Sequence, residues 1–181
     1  MAEYIDVLNE DGVKTGEILP RKEIHEKGLW HRAIVIAIIN EKNEVLLQQR
    51  AAHKEKNPNL WDISVAGHIS SGQDSVSAAV REINEEVMVS IEAKAKVTDF
   101  RYMLSYRVSQ TFSENFVENQ FYDFFVLRKN GIRKQHIRMQ ESEVQDVKFV
   151  SLIELEQLLQ TDKIVQRAPL YDALRDYLYR F

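Results

Sequence analysis

Residues 67–89 combine a glycine-containing turn with a strongly acidic, amphipathic helix. At about 100° per residue, the predicted helix places Glu82, Glu85 and Glu86 on one face, within about 100° of arc. The opposite face is apolar and consists of Val76, Ala79, Val80, Ile83 and Val87. A glutamate face most often indicates only a solvated surface, but here a polar turn and a candidate N-cap, Asp74, lead into it. This combination favours a site for phosphate and a hard cation such as Mg²⁺.

The same run resembles the signature of the Nudix family, which reads Gly, five residues, Glu, seven residues, then Arg-Glu-aliphatic-any-Glu-Glu-any-Gly-aliphatic. The positions that match in register are Gly67, Arg81, Glu82, Ile83, Glu85, Glu86 and Val89. The resemblance covers roughly residues 30–160 and implies the Nudix fold, an α/β architecture with a mixed β-sheet sandwiched between α-helices. It also implies Mg²⁺ or Mn²⁺ on the helix glutamates, with Arg81 and the same glutamates as catalytic residues.

Two positions depart from the family signature. Gln73 stands where the first glutamate belongs, and Met88 replaces the later glycine. The family glutamate pairs with the box arginine, so Gln73 can still accept a hydrogen bond from Arg81 but without the added strength of a carboxylate. Met88 puts a side chain where a helix end favours glycine. Both departures bear on the catalytic rate more than on the fold.

The composition favours one enzyme-sized domain over residues 1–181, with residues 1–30 as an extension before the core, although the length also allows two small domains. No cysteine is present, which excludes disulfides and thiolate chemistry. A net charge of −4 offers no general attraction to nucleic acid. No apolar run approaches the roughly 20 residues of a membrane span, and the first residues do not resemble a signal peptide. We therefore expect a cytoplasmic protein with no membrane or nucleic-acid partner.

Apolar runs and turn residues predict the order of the elements. The run 33–39 is almost continuously apolar, as expected of a central strand. An amino-terminal hairpin joins strands 4–8 and 14–19 through a turn that ends at Gly12. The remaining predictions are a helix at 20–27 ended by Gly28, strands at 44–49, 97–110, 116–127 and 147–150, an extended region at 61–69, and helices at 152–159 and 170–179.

Three histidines and one glutamate carry a second resemblance. His25 and His31 precede the predicted central strand, and His68 follows the box glycine. Such histidines are more often hydrogen-bonded structural groups than metal ligands. Together with Glu118, however, they resemble the metal-binding set of isopentenyl-diphosphate isomerase, a Nudix-fold enzyme with a similar amino-terminal extension.

The same comparison argues against the isomerase reaction. The isomerase has a cysteine immediately before the box Gly-His, where this chain has Ala66. It has a second glutamate where this chain has Gln120. Moving a proton onto an alkene and off an allylic carbon requires a positioned acid and base, and neither alanine nor a neutral amide supplies one.

The leading hypothesis is a metal-dependent hydrolase that cleaves a nucleoside diphosphate linked to another group, or a related diphosphate, by attack of activated water at phosphorus. Gly67 and Arg50 are the expected substrate contacts. Arg50 begins a basic loop with His53, Lys54 and Lys56, which serves either solubility or phosphate binding. The base is one of the helix glutamates or a loop carboxylate, with Glu141 and Glu143 as loop candidates. The alternatives are an isomerase and a diphosphate-binding domain that has lost turnover.

Two further sets of residues leave their roles open. Trp30, Trp61, Tyr102, Tyr106 and Phe121 are aromatic residues that either stack a base or belong to the core. Near the carboxyl end, Leu170, Ala173, Leu174, Tyr177 and Leu178 form one helical stripe. The stripe packs on the chain's own sheet or, as the alternative, forms a homodimer interface.

Overall fold

The computed structural model describes residues 3–84, 95–137 and 139–180. Within these residues, groups of consecutive strands are separated by helices. The strands are β1 (Tyr4–Leu8), β2 (Lys14–Pro20), β3 (Trp30–Ile39), β4 (Val45–Arg50), β5 (Trp61–Ile63), β6 (Val65–His68), β7 (Phe100–Ser113), β8 (Phe116–Arg128) and β9 (Val144–Val150). The α-helices are α1 (Arg21–Lys27), α2 (Ser75–Glu82), α3 (Leu152–Leu159) and α4 (Ala168–Arg180), and short 3-10 turns lie at Val97–Asp99 and Lys134–His136.

Strand β3 is the centre of a mixed sheet. Every residue from Ala33 to Ile39 is buried, which explains its unbroken apolar sequence. Strand β3 runs parallel to β8, from the pair Trp30 and Asn119 to the pair Ile39 and Arg128. On its other side it pairs antiparallel with β6, while β4 joins β5 and β9. The combination of parallel and antiparallel pairs confirms the predicted mixed sheet.

The sheet is covered on both faces. Alternate residues of β3, such as Val35 and Ala37, pack with α3 and α4 on one face. The intervening residues, such as Ile34 and Ile36, pack with α2 on the other. This alternation follows from the period of two in a strand, and the result is the α/β sandwich that the sequence predicts. None of the described helices has the length and apolar character required to cross a lipid bilayer.

The amino-terminal hairpin is attached to the loop of the box. Strand β1 pairs with β2, and Leu8 also pairs with Trp30 of β3. Gly28 ends α1 in the left-handed conformation, with φ of 61°, as predicted. The backbone N–H of Ser71 donates to the carbonyl of Tyr4 over 2.8 Å, and its hydroxyl donates to Asp6 over 2.8 Å. The extension therefore fixes the turn that precedes α2.

Four element predictions differ from the structure. The predicted strand 97–110 begins only at Phe100, after a 3-10 turn at Val97–Asp99, and the predicted strand 147–150 begins already at Val144.

The region 61–69 is not one extended segment, because β5 and β6 pair with different strands and the chain changes partner at Ser64. The hydroxyl of Ser64 accepts a hydrogen bond from the N–H of Ile38 over 2.8 Å at this break. Strand β3 also begins earlier than predicted, at Trp30, so that His31 lies within the central strand rather than ahead of it.

Candidate active site

A cavity of about 880 Å³ lies where β3, β6 and β8 meet the last residues of α2, Arg81 and Glu82. Its lining joins groups that are far apart in sequence. They include His25, Arg50, Lys54, Lys56, Gly67, His68, Arg81, Glu82, Glu118, Gln120 and Arg167. A volume of this size is typical of sites for small organic ligands.

The start of the box helix is built as the sequence predicts. The carboxylate of Asp74 accepts a hydrogen bond from the N–H of Ser77 over 2.9 Å and caps α2. The Arg81 guanidinium contacts the Glu82 carboxylate over 2.8 Å and donates to the carbonyl of His68 over 3.2 Å. Arg81 thus connects the helix to β6.

Glu82 is buried, with 7% of its surface exposed. It lies against Gly67, where a Cβ atom would come within 2.5 Å of Cδ and Oε1 of Glu82. Only a residue without a side chain leaves room for this carboxylate. The absence of a side chain at Gly67 therefore leaves the space that the Glu82 carboxylate occupies at the cavity.

The predicted contact between Gln73 and Arg81 is present. The amide oxygen of Gln73 accepts from Nε of Arg81 over 3.4 Å, which is long for a hydrogen bond of this type. The other box residues that the sequence singled out lie outside the described residues; they are Glu85, Glu86, Val87, Met88 and Val89. The part of Glu85 and Glu86 in a metal site stays a prediction.

The structure brings His25, His31 and His68 together, with one ring nitrogen of each within 4.8 Å of the others. Nδ1 of His25 lies 3.3 Å from the carbonyl of Val117, and Nδ1 of His31 lies 3.0 Å from that of Leu29. A carbonyl oxygen can only accept a hydrogen bond, so Nδ1 is the protonated, donating nitrogen in both rings. Their Nε2 atoms then carry the lone pair, as in histidine metal sites. Nε2 of His25 lies 3.3 Å from Nε2 of His68, so these nitrogens converge on one another.

Burial keeps these rings neutral. It lowers the pKa of His31 to about 3 and the pKa of His25 and His68 below the usual histidine range. Metal ions bind the neutral form of imidazole. The cluster is therefore in the protonation state that a metal site requires.

Gln120 completes the cluster. Its side chain is 1% exposed, and its amide nitrogen lies 2.8 Å from Nε2 of His31 and 3.0 Å from Nε2 of His68. Its Oε1 atom has no hydrogen-bond partner among the described residues. The nitrogen and oxygen of an amide are assigned from their neighbours, and the reversed assignment would direct the oxygen to the same point as the imidazole nitrogens. Three nitrogens and one amide oxygen fit a divalent transition-metal cation that accepts imidazole, such as Zn²⁺ or Fe²⁺.

Glu118 lines the same cavity, but its carboxylate pairs with Lys56 instead of standing with the three histidines. Glu118 is 4% exposed, and burial lowers the pKa of Lys56. Of the four expected ligands, the three histidines therefore lie together, whereas the Glu118 carboxylate is paired with Lys56.

The basic loop after β4 lies at the cavity rather than in open solvent. Nε of Arg50 donates to the carbonyl of Lys56 over 2.9 Å, which closes the loop on itself. Nζ of Lys54 contacts the Glu143 carboxylate over 2.6 Å. Glu143 lines the cavity with them, whereas Glu141 is exposed and does not. This placement favours the phosphate-binding interpretation of the loop.

Sequence reasoning missed Arg167 and Asp62. Nε and Nη2 of Arg167 donate to the two carboxylate oxygens of Asp62 over 2.9 and 3.0 Å, and both side chains are buried. The pair joins β5 to the start of α4 across 105 positions. Neither residue belongs to a local pattern, so no signal in the sequence indicates that they meet. The aromatic residues at the cavity are Phe116 and Tyr122, and the five proposed from the sequence do not line it.

Comparison with known proteins agrees with this architecture. A family model described as NUDIX domain matches residues 29–174. Nudix hydrolase 3 of Arabidopsis thaliana is 37% identical over 150 residues, which is 82% of this chain but 19% of the plant protein. An uncharacterized Nudix hydrolase of Listeria monocytogenes is 32% identical over 160 residues, covering 88% of this chain and 86% of the relative. Isopentenyl-diphosphate Delta-isomerase 2 of Photorhabdus laumondii is 33% identical over 139 residues, covering 77% of this chain and 72% of the relative.

Solved structures share the fold at lower identity. The structure of DR0079 from Deinococcus radiodurans has a TM-score of 0.69 and 18% identity, and covers 96% of this chain and 98% of that one. The NUDIX domain of Shewanella oneidensis NrtR, solved with ADP ribose, has a TM-score of 0.57 and 16% identity, and covers 81% of this chain and 87% of that one. The family match and the sequence relatives go further than the fold alone. This chain belongs to the Nudix family.

Proposed function

We propose that this protein is a hydrolase that uses Mg²⁺ or Mn²⁺ to cleave a nucleoside diphosphate linked to another group, or a related diphosphate. The observation that carries the proposal is the meeting of Arg81 and Glu82 with the basic loop of Arg50 at one cavity. Carboxylates there suit a hard cation, and arginine and lysine suit the phosphates. A small-molecule diphosphate is the partner that such a cavity accepts.

Each residue of the proposal has a defined task. Glu82, Glu85 and Glu86 would hold the cation, which when bound neutralises phosphate charge and lowers the pKa of a nearby water. Arg81 holds Glu82 in position, while Arg50 and Lys54 bind phosphate oxygens. The water oxygen forms a bond to phosphorus, the bridging P–O bond breaks, and a carboxylate takes the proton released by the water. Glu143 and the box glutamates are the candidates for that carboxylate.

The three histidines would hold a cation that prefers nitrogen ligands, unlike the cation at the box carboxylates. His25, His31 and His68 offer nitrogen lone pairs, and imidazole suits iron, zinc and other later transition metals better than Mg²⁺. We assign this cluster, with the amide of Gln120, as a second metal site beside the box. Glu118 would join it only after leaving Lys56.

Isomerisation of isopentenyl diphosphate is the alternative, because a relative with 33% identity bears that name. Ala66 and Gln120 count against it. Ala66 lines the cavity with a methyl group, and Gln120 is a neutral amide among the histidines. Neither group can exchange a proton with carbon at neutral pH, whereas attack of water on phosphorus needs no group at either position.

The experiment is a substrate screen with isotopically labelled water. The purified protein is incubated with Mg²⁺ or Mn²⁺ and with ADP-ribose, which the Shewanella domain binds, with other nucleoside diphosphate sugars and with isopentenyl diphosphate. We expect metal-dependent cleavage into two phosphorylated products, with one ¹⁸O atom from water in one of them. A product of unchanged mass from isopentenyl diphosphate would instead support the isomerase. Tight binding without any product would support a binding domain.

A further inference from the structure

Arg167 is a charged residue that lines the cavity. It belongs to the face of the sheet opposite the one that the box helix covers. It lies at the start of α4, where its carbonyl accepts from the N–H groups of Leu170 and Tyr171. Helix α4 packs on one face of the sheet and α2, with Arg81 and Glu82, on the other. The cavity therefore has one region near the box helix and another near Arg167.

The Arg167 side chain is held in one orientation. Nε and Nη2 donate to Asp62 over 2.9 and 3.0 Å, a forked pair with fixed geometry. The guanidinium carbon lies 4.9 Å from the centre of the Tyr122 ring, which covers one of its faces. A guanidinium has five N–H donors, so the Nη1 amino group remains outside this fork. The hydroxyl groups of Tyr106 and Tyr122 lie beside the guanidinium. Because Arg167 and Tyr122 line the cavity, the guanidinium and the Tyr122 hydroxyl present a polar wall to a bound molecule.

The pair carries little net charge. Asp62 is 1% exposed, and the Arg167 charge lowers the pKa of its carboxyl, so that the pair consists of one cation and one anion. The Asp62 carboxylate offsets the attraction of Arg167 for a phosphate, so the pair itself adds little to phosphate binding. The neighbouring Arg50 and Lys56 supply positive charge instead. An uncharged oxygen acceptor, such as a hydroxyl or carbonyl group, does not depend on net charge for its hydrogen bond to the guanidinium.

A hydrocarbon group would fit this region poorly. It would exclude water from the guanidinium and from the Tyr122 hydroxyl without offering them a hydrogen bond in return, which is unfavourable for buried polar groups. Ala33 and Ala66 line the cavity with single methyl groups, which leaves space beside Tyr122. The region is therefore open to an organic group but chemically suited to one that bears oxygen.

We propose that Arg167, positioned by Asp62 and accompanied by Tyr122, is a specificity-determining residue that selects diphosphates whose organic group carries an uncharged oxygen acceptor over those with a hydrocarbon group. The inference rests on the proposed function for the position of the diphosphate, which the basic loop and the box helix would hold. It deepens that function by naming a feature of the organic part of the substrate.

The test compares the binding of matched probes that cannot be hydrolysed. They are alkyl monoesters of methylenediphosphonate, from butyl to octyl, each paired with an ester of the same length that ends in a hydroxyl group. Calorimetry with Mg²⁺ measures both members of each pair, with methylenediphosphonate itself as the reference. For at least one chain length we expect the hydroxyl ester to bind at least about tenfold more tightly, since a site built for a hydrogen bond discriminates strongly against a ligand that lacks the group.

Two variants locate the preference at Arg167. Asp62→Leu with Arg167→Met replaces the buried pair by apolar side chains, a change that buried pairs often tolerate. Arg167→Lys keeps a cation beside Asp62 but removes the Nη1 donors. In both variants the hydroxyl ester should bind at most about threefold more tightly than its alkyl partner. The affinity for methylenediphosphonate itself should change less than about twofold. Arg175→Met, on the same helix and paired with Glu156 outside the cavity, is the matched control and should retain the full preference.

The outcomes separate this inference from the proposed function. Equal binding of both members at every length, or a preference that survives in Arg167→Lys, would overturn the inference even if the protein hydrolyses diphosphates. A clear preference that depends on Arg167, in a protein that cleaves no diphosphate in the screen, would uphold the inference and overturn the hydrolase.

Discussion

Gly67 and Glu82 are in direct contact across the boundary between β6 and α2. A Cβ atom at position 67 would lie 2.5 Å from Cδ of Glu82 and 2.9 Å from its Cγ. Because Arg81 holds the same carboxylate over 2.8 Å, Glu82 has little freedom to move aside. The box glycine and the first box glutamate of the helix are thus one structural unit.

Gly67→Ala should therefore displace the Glu82 carboxylate. We expect turnover to fall at least about tenfold, since a shift of about 1 Å in a preorganised site is costly, with a smaller change in stability. Kinetics and thermal melting of the purified variant measure both effects. Gly131→Ala is the control: it has open space around the added methyl group but a φ of 77°, so it should lose stability and keep activity. Full activity in Gly67→Ala would contradict the role given to Glu82.

The box glutamates themselves provide the second prediction. Glu82→Gln, Glu85→Gln and Glu86→Gln should each lower turnover at least about tenfold at limiting Mg²⁺, because each removes a charged ligand from the proposed site. Glutamine has nearly the same shape, so the melting temperatures of Glu85→Gln and Glu86→Gln should change little. Glu82→Gln should also lower the melting temperature, because its buried carboxylate is paired with Arg81. Activity like that of the unmodified protein in both Glu85→Gln and Glu86→Gln would exclude the metal assignment.

The third prediction concerns the altered box position. Gln73 accepts from Arg81 over 3.4 Å, and a carboxylate there would form a shorter, charge-assisted bond. Gln73→Glu should therefore raise the turnover rate or lower the Mg²⁺ concentration required for half-maximal activity. Metal titrations of both proteins make the comparison. An inactive but folded variant would mean that the neutral amide has a task of its own.

Local sequence patterns predicted the strands and helices well, because these elements depend on interactions between residues that are close in sequence. The apolar run of β3, the Gly28 helix end and the Asp74 cap each depend on residues that are close in sequence. The break at Ser64 was not predictable in this way, since it depends on which strands β5 and β6 find as partners. Periodicity locates a strand but does not specify its neighbour.

The site was predictable only in part for the same reason. The box motif identified Gly67, Arg81 and Glu82, but a helical projection could not show that Glu82 is buried against Gly67. The convergence of His25, His31 and His68 came from a family resemblance rather than from spacing. The pair of Asp62 and Arg167 spans 105 positions, and such long-range contacts become visible only in three dimensions.

The buried histidines predict a pH dependence of stability in the metal-free protein. The pKa of His31 is about 3 in the folded state and about 6.5 in an unfolded chain. Between these values the unfolded state binds the additional proton, so the free energy of unfolding falls as pH decreases from about 6.5 towards 3, by up to about 1.4 kcal/mol per pH unit for this group. Denaturant unfolding with a chelator present, at several pH values, measures the slope. His31→Gln should reduce it, and the exposed His53→Gln should not; equal slopes in all three proteins would refute the assignment.

The carboxyl-terminal helix offers the last prediction. Its apolar stripe is part of the chain's own core: Leu174 is fully buried beside Leu170 and Tyr177, so the packing interpretation accounts for the stripe without a partner. Leu174→Asp places an unpaired charge in that core and should lower the free energy of unfolding by at least about 3 kcal/mol. Tyr179→Asp, on the same helix at a residue that is 71% exposed, should change it by less than about 0.5 kcal/mol. Thermal melting together with light scattering tests both variants. A Leu174→Asp protein that melts normally but has lost half its mass would show instead that this helix forms a homodimer interface.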